Sequence, residues 1–178
     1  MKLLKVITLL FISISLVNCG DDDKPKESFD LSAENFTGTY SLVSVAESTE
    51  RTVTDGGNTT TLSSTSSEIN EDITITSQVV FNSDGTYVFS GIYTETSSTT
   101  GSDGETDEVS NSIVTDDEGD YELNVANNTV TLTSDDGEVE TYDITTFTAD
   151  RLVLYQNETE PEGQIEETFE STIEYERN

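Results

Sequence analysis

Ile165-Glu166-Glu167-Thr168-Phe169-Glu170-Ser171-Thr172-Ile173-Glu174-Tyr175-Glu176 decides the fold. Ile165, Phe169, Ile173 and Tyr175 share one parity, and Glu166, Thr168, Glu170, Thr172, Glu174 and Glu176 share the other. An extended backbone sends successive side chains to opposite faces, so this stretch predicts a strand with an apolar inner side and a charged outer side. Working outward, the same period of two recurs. Gly85 to Glu95 carries Tyr87, Phe89 and Tyr93 on one side, and Tyr121, Leu123 and Val125 share another face. Ile73, Ile75, Val79 and Phe81 do the same, while Val130 with Leu132, Val139 with Ile144 and Phe147, and Leu152 with Leu154 mark shorter strands. Abundant Thr, Val, Ile, Tyr and Phe suit a pleated, half-buried surface.

Between these runs stand Asp55-Gly56-Gly57-Asn58, Asn82-Ser83-Asp84-Gly85, Asn127-Asn128 and Asp135-Asp136-Gly137. Each supplies residues that tolerate the positive φ of tight hairpins. Pro25 and Pro161 are expected in non-strand segments, where a missing N–H costs no ladder bond. A helical turn is predicted around Ser32 to Phe36, with Ser32 as its cap. Arg51 to Asn70 and Ser97 to Asn111 are dominated by Ser, Thr, Gly and acids, and their threonine content favours polar extensions of long hairpins over loops. Consecutive hairpins give an all-β, antiparallel, up-and-down meander of eight to ten strands. Its apolar face is covered either by closure into a barrel or by folding over as a β-sandwich.

The first residues read as an address. Lys2 and Lys5 precede an apolar run from Val6 to Val17. That run is too short to span a bilayer, which takes about 18 or more apolar residues, and has the shape of a secretory signal core. It ends in Leu16-Val17-Asn18-Cys19-Gly20, which resembles the lipobox of bacterial lipoproteins, although Asn18 stands where Gly, Ala or Ser is more usual. The resemblance implies cleavage before Cys19, diacylglycerol on its sulfur and acylation of the new amino terminus. The competing reading is an ordinary secreted protein with an incidental cysteine. Cys19 is the only cysteine, so no disulfide forms within one molecule, and a lone exported thiol would be a liability that lipidation removes. The expected organisation is a signal peptide at 1–18, a lipidated cysteine and acidic flexible tether at 19–31, and the β domain at 32–178.

The 178 residues carry seven basic and 37 acidic side chains, a formal charge of −30. Loss of residues 1–18 removes two lysines and no acid, leaving five basic residues against the same 37 acids. Nucleic acid is therefore excluded as a partner, because binding it depends on Lys and Arg at phosphates. The tether from Gly20 to Asp30 is charged and nearly free of apolar groups, so nothing offsets its ordering entropy. Its acidic run resembles the surface-export signal of Bacteroidetes lipoproteins; a plainly solvated spacer is the equal alternative.

A further likeness rests on several short stretches. Phe36-Thr37-Gly38-Thr39-Tyr40-Ser41-Leu42 resembles the Gly-x-Trp/Tyr opening strand of lipocalin-like domains, with Tyr40 where Trp is common and no Trp in the chain. Val80-Phe81-Asn82-Ser83-Asp84-Gly85-Thr86-Tyr87 is similar to their Phe-x-x-Asp-Gly-x-Tyr/Phe hairpin. Gly119 to Leu123, Asn128 to Leu132, Leu152 to Leu154 and a closing Glu174-Tyr175-Glu176-Arg177 continue the order. The chain thus resembles lipocalin-like lipoproteins of the Bacteroidetes type over most of residues 36–177. The resemblance implies an up-and-down barrel whose interior holds a small apolar molecule.

The chemistry is restricted. With no histidine, imidazole-based triads and the commonest transition-metal ligand are missing. The one thiol belongs to the anchor, which leaves zinc, copper and iron without a ligand set. No catalytic, cofactor-binding or metal residue is assigned; the single site residue is Cys19, for lipidation. A carboxylate-dependent hydrolase is the remote alternative, since paired acids cleave glycosides, but most acids here alternate outward. Calcium is a second alternative, at two stretches expected to be acidic loops, Asp103, Glu105, Asp107 and Glu108, and Asp116, Asp117, Glu118 and Asp120. Neither has helical calcium-loop spacing. Tyr40, Phe81, Tyr87, Phe89, Tyr93, Tyr121, Tyr142, Phe147, Phe169 and Tyr175 are expected to fill the core rather than line a pocket. The expected function is therefore a non-enzymatic, monomeric envelope lipoprotein. It would be anchored in the outer membrane and face the exterior, with the periplasmic face as the alternative. A small apolar ligand is its expected partner, or a glycan if the domain is an adhesive sandwich.

Overall fold

The computed structural model describes residues 29–55, 58–69 and 76–178. Among them, a four-residue helix α1 (Ala33–Phe36) precedes nine strands: β1 (Gly38–Asp55), β2 (Asn58–Ile69), β3 (Gln78–Phe81), β4 (Thr86–Gly101), β5 (Thr106–Asn124), β6 (Thr129–Ser134), β7 (Val139–Phe147), β8 (Arg151–Glu162) and β9 (Ile165–Arg177). Every ladder is antiparallel and successive strands are neighbours except β2 and β3, so the sheet is the expected meander with one departure. Strand β1 also pairs with β9, from Tyr40↔Arg177 to Val53↔Ile165. The sheet thus closes into a ring. All nine strands belong to one sheet closed on itself by this pairing, not to two stacked sheets, which overturns the sandwich alternative.

Strands β2 and β3 share one position in the ring. Strand β1 takes β3 along Gly38–Ser41 and β2 along Ala46–Asp55, and β4 takes the same two strands in the same order. The ring therefore has two ends of different build. At one end, here called the base, lie the β3–β4, β5–β6 and β7–β8 turns, the start of β1 and the end of β9. At the other, β1–β2, β4–β5 and β8–β9 rise as tall hairpins, whereas β6–β7 stops after five paired residues, Thr129↔Asp143 to Thr133↔Val139. The turn residues act as predicted: Asn128 adopts φ 54°, and Gly85 and Gly137 adopt φ 90° and 92°.

The core sits at the base. Phe36 is fully buried, with ring centroids 4.6 Å from Phe81, 5.7 Å from Tyr121 and 5.9 Å from Phe147. Helix α1 brings it there. Ser32 caps the helix by accepting from the Asn35 N–H at 3.1 Å, and extended Thr37 ends it one turn later. The Tyr40 hydroxyl donates to the Phe36 carbonyl at 2.8 Å. Arg177 donates to the carbonyls of Asn35, at 2.7 Å, and Thr37, while its guanidinium lies 5.2 Å from the Phe29 ring and 5.3 Å from that of Tyr40. Helix and arginine together plug the base. Above the plug, Val79, Val130, Leu152, Leu154 and Tyr175 are almost wholly buried. Each large apolar side chain so buried contributes roughly 1.5–3 kcal/mol.

Several local expectations are revised. Asp116, Asp117, Glu118 and Asp120 lie within β5, not in a loop. Pro161 lies within β8. The Arg151 carbonyl accepts from Thr148 toward the β7 side, and the Asp150 carbonyl accepts from Arg177 toward β9. Backbone direction alternates along a strand, so odd-numbered Pro161 turns its missing N–H to the side where β7 no longer reaches, and no ladder bond is lost. Val125 falls in the turn after β5, and Val139 is 63% exposed at the head of β7, so neither joins the core. Arg51 to Asp55 and Asn58 to Ile69 form the tall part of the β1–β2 hairpin, and Ser97 to Asn111 spans the β4–β5 tip, as the threonine content predicts. Ile73, Ile75 and Asn70 lie outside the described residues, as do Gly56 and Gly57.

Candidate recognition rim

Above the aromatic base the interior turns polar. Glu47 on β1, Glu95 on β4 and Glu140 on β7 share the inward parities of Val45, Tyr93 and Tyr142. Ser171 donates to Glu47 at 3.5 Å, Ser97 to Glu95 at 2.9 Å, and the Tyr142 hydroxyl to Glu140 at 2.7 Å. Burial pushes the Glu47 carboxyl above its usual range, the Glu95 charge adds to that, and the Ser171 hydroxyl partly opposes it. Burial, with Glu47 and Glu95 nearby, pushes Tyr93 up to about 12. Burial and the Glu140 carboxylate also raise Tyr142. At neutral pH these phenols keep their protons.

Because the β6–β7 hairpin is short, the upper wall of the ring lacks two strand positions. The slot above that hairpin is flanked by β5 on one side and β8 on the other. A cleft of about 170 Å³ opens between the hairpin and β5, lined by Tyr87, Asp117, Leu132, Ser134, Asp136, Glu138 and Glu140. Another of about 340 Å³ opens toward β8, lined by Glu138, Val139, Glu140, Gln156, Glu158 and Phe169. The Tyr87 hydroxyl donates to Asp117 at 2.7 Å, and Gln156 donates to Glu158 at 3.0 Å. No cation among the described residues balances these acids. Among the described residues three are basic, and each is engaged elsewhere: Arg51 with Glu167 at 3.0 Å, Arg151 with Glu174 at 2.6 Å, and Arg177 in the plug. Such a slot attracts cationic groups and repels phosphate and sulfate.

The residues singled out from sequence are scattered. Cys19, the predicted lipidation site, lies outside the described residues. Asp103 and Glu105 cap the β4–β5 tip, where Asp103 accepts from the Glu105 N–H at 3.1 Å, and Asp107 and Glu108 begin β5. Strand geometry sends neighbouring acids of β5 to opposite faces. Among the described residues no three carboxylates come together closely enough to hold a metal ion. The ten aromatics are brought together in part. Tyr40, Phe81, Tyr87, Tyr142 and Tyr175 are buried, Phe89, Tyr93, Tyr121 and Phe147 pack against them, and Phe169 lines the slot. Sequence reasoning missed the slot itself. A signal existed: the turn residues Asn127-Asn128 and Asp135-Asp136-Gly137 are much closer together than the turns bounding the other hairpins.

No protein-family model matches the chain, and no curated protein does. Among solved structures it is similar to Ail, the attachment invasion locus protein of Yersinia pestis, in complex with the heparin analogue sucrose octasulfate. That similarity is 7% identity over 79% of this chain and 99% of that one, with a TM-score of 0.24. At that level nothing of its role carries over. The architecture of this chain is established by its own strand pairing: an all-β, up-and-down antiparallel sheet closed into a ring.

Proposed function

We propose that the chain is a non-enzymatic envelope lipoprotein of the lipocalin-like kind, anchored through Cys19 in the outer membrane and facing the cell exterior. Its ring would stand on the tether with the open rim turned away from the bilayer, as the surface that binds. The observation that carries this reading is the polarity of the ring. Phe29, the first described residue, packs at the base, 5.1 Å from Phe147 between ring centroids and against Arg177. The tall hairpins and the acidic slot lie at the opposite end. The described chain begins at the base, so a tether from Cys19 that joined it there would leave the rim free.

Rim recognition is favoured over carriage of an apolar molecule because rings from α1, β1, β3, β5 and β7 touch one another across the base. The clefts beside β6–β7 are lined largely by carboxylates. The non-enzymatic reading is supported by a chain without histidine.

The test is expression of the full chain and its Cys19→Ala variant in a bacterial host with lipoprotein processing, followed by membrane fractionation. The parent is expected in the membrane fraction with acyl mass on a chain beginning at Cys19, and the variant in the soluble fraction. Identical fractionation of the two would defeat the anchor. Protease added to intact cells is expected to digest the domain; survival until the outer membrane is opened would place it on the periplasmic face.

A further inference from the structure

We propose that the unpaired upper edge of β5, from Glu108 to Asp116, takes up an extended, lysine- or arginine-bearing polypeptide segment by strand addition. On its other side this stretch of β5 pairs with β4 without interruption, from Thr86↔Asp120 to Thr100↔Thr106. On the slot side β6 begins to pair only at Gly119↔Ser134. The direction of the backbone follows from two hydrogen bonds. The Glu118 carbonyl accepts from Asp135 toward β6, and the Tyr121 N–H donates to Gly85 toward β4. Alternation then turns the N–H and carbonyl groups of Glu108, Ser110, Ser112, Val114 and Asp116 to the slot side, where no described strand meets them. A row of such groups is a template for another strand.

Charge selects the occupant. The same stretch begins with Glu108 and ends with Asp116, Asp107 and Asp117 flank it, and the slot beside it holds Asp136, Glu138 and Glu140. A second copy of this chain would bring its own acids against these, which disfavours self-pairing; a basic segment would neutralise them. On the outer face of the edge, Val114 is 68% exposed, directly across from Ile92 at 48%. That pair offers an apolar contact to one side chain of an added strand. The opposite edge of the slot is less suited. The free part of β8 is shorter than that of β5 and has lost a donor to Pro161. No proline interrupts β5.

The inference holds whether or not the chain is lipidated, so its test is made on the purified full chain in detergent. The probe is a synthetic peptide of alternating lysine and valine, compared with the same peptide N-methylated at every residue, so that neither of its edges can donate. Binding is followed by fluorescence anisotropy at physiological ionic strength, with residue-resolved amide exchange on the chain. The unmodified peptide is expected to bind and to slow exchange at Ser110, Ser112 and Val114, and N-methylation to weaken it about tenfold or more. A Ser112→Pro variant, which deletes one edge donor, is expected to lose affinity, while Ser112→Ala keeps it. Equal binding of both peptides without protection on β5 would reveal ion pairing alone and overturn the proposal. Slow exchange at these amides before peptide is added would overturn it too, because the edge would already be covered. The N-methylated peptide keeps the test decisive should the proline variant fail to fold.

Discussion

The base and the rim are made from the same strands, yet they are held together differently. In its lower part β1 buries Tyr40, Leu42 and Val45, and β9 buries Ser171 and Tyr175; higher up neither has a fully buried residue. Strand β5 has none along its whole length, and Thr106 to Ser112 are all exposed. The ladder continues upward without a core. What joins the strands there, besides backbone bonds, includes the Arg51–Glu167 ion pair and a series of cross-strand hydroxyl pairs: Thr54 with Thr59 at 3.0 Å, Thr65 with Thr99 at 3.1 Å, Thr96 with Ser110 at 2.9 Å, and Thr100 with Thr106 at 2.9 Å. Pairs of this kind contribute roughly 0.2–1 kcal/mol each, well below a buried aromatic. The comparison teaches that stability resides in the plugged base, and that the rim is polar sheet carried on it, free to vary its surface.

The sharpest way to break that comparison is to delete an apolar side chain from each region. Phe36→Ala empties the plug against Phe81, Tyr121 and Phe147 and is expected to cost about 3–5 kcal/mol in chemical denaturation. Val109→Ala, at a rim position 54% exposed, is expected to change stability by no more than about 0.5 kcal/mol. Similar losses from the two would contradict a core confined to the base. A second substitution addresses the shoulder where the two regions meet. At Gly119 a Cβ would lie 2.1 Å from the Thr133 carbonyl oxygen and 2.8 Å from the Ser134 Cα. Gly119→Ala must therefore push β6 away from β5, and a cost of roughly 1–3 kcal/mol is expected from the thermal midpoint.

The smallest effect concerns the inward carboxylates. Glu47 has a raised pKa in the folded ring, chiefly through burial and then through Glu95. In the window between its unfolded and folded values the native state holds more protons than the unfolded one, so stability falls as pH rises through that window. Glu47→Gln keeps an acceptor for Ser171 and removes the charge. It is expected to raise the melting midpoint slightly at neutral pH and to flatten the fall across mildly acidic pH. An unchanged pH profile would show that Glu47 is solvated in the folded chain.

Much of this architecture was legible in the sequence, for a local reason. Alternation in Ile165–Glu176, turn residues with positive φ, and the Ser32 cap each depend on a few neighbouring residues. Closure was left open between barrel and sandwich, because the pairing of Tyr40 with Arg177 is set by the twist and lengths of all the intervening strands. Pro161 misled for a related reason. A proline argues against a strand only where its N–H is needed, and whether β7 reaches that far is not a property of residue 161. The slot was harder still, since a free edge is the absence of a neighbour and follows from the relative lengths of β5, β6, β7 and β8. The inward glutamates were readable in principle, as Glu47, Glu95 and Glu140 share parity with Val45, Tyr93 and Tyr142. The weight of 37 acids, most of them outward, hid them.

Residue-resolved amide hydrogen exchange on the intact chain tests the division between base and rim most directly. The expected result is slow exchange, opening only with global unfolding, at paired amides around Tyr40, Val79, Leu152 and Tyr175, and faster exchange by local opening in the tall parts of β1–β2, β4–β5 and β8–β9. Uniform protection from base to tip, or slower exchange in the rim than around Phe36, would contradict a fold held together at its plugged end.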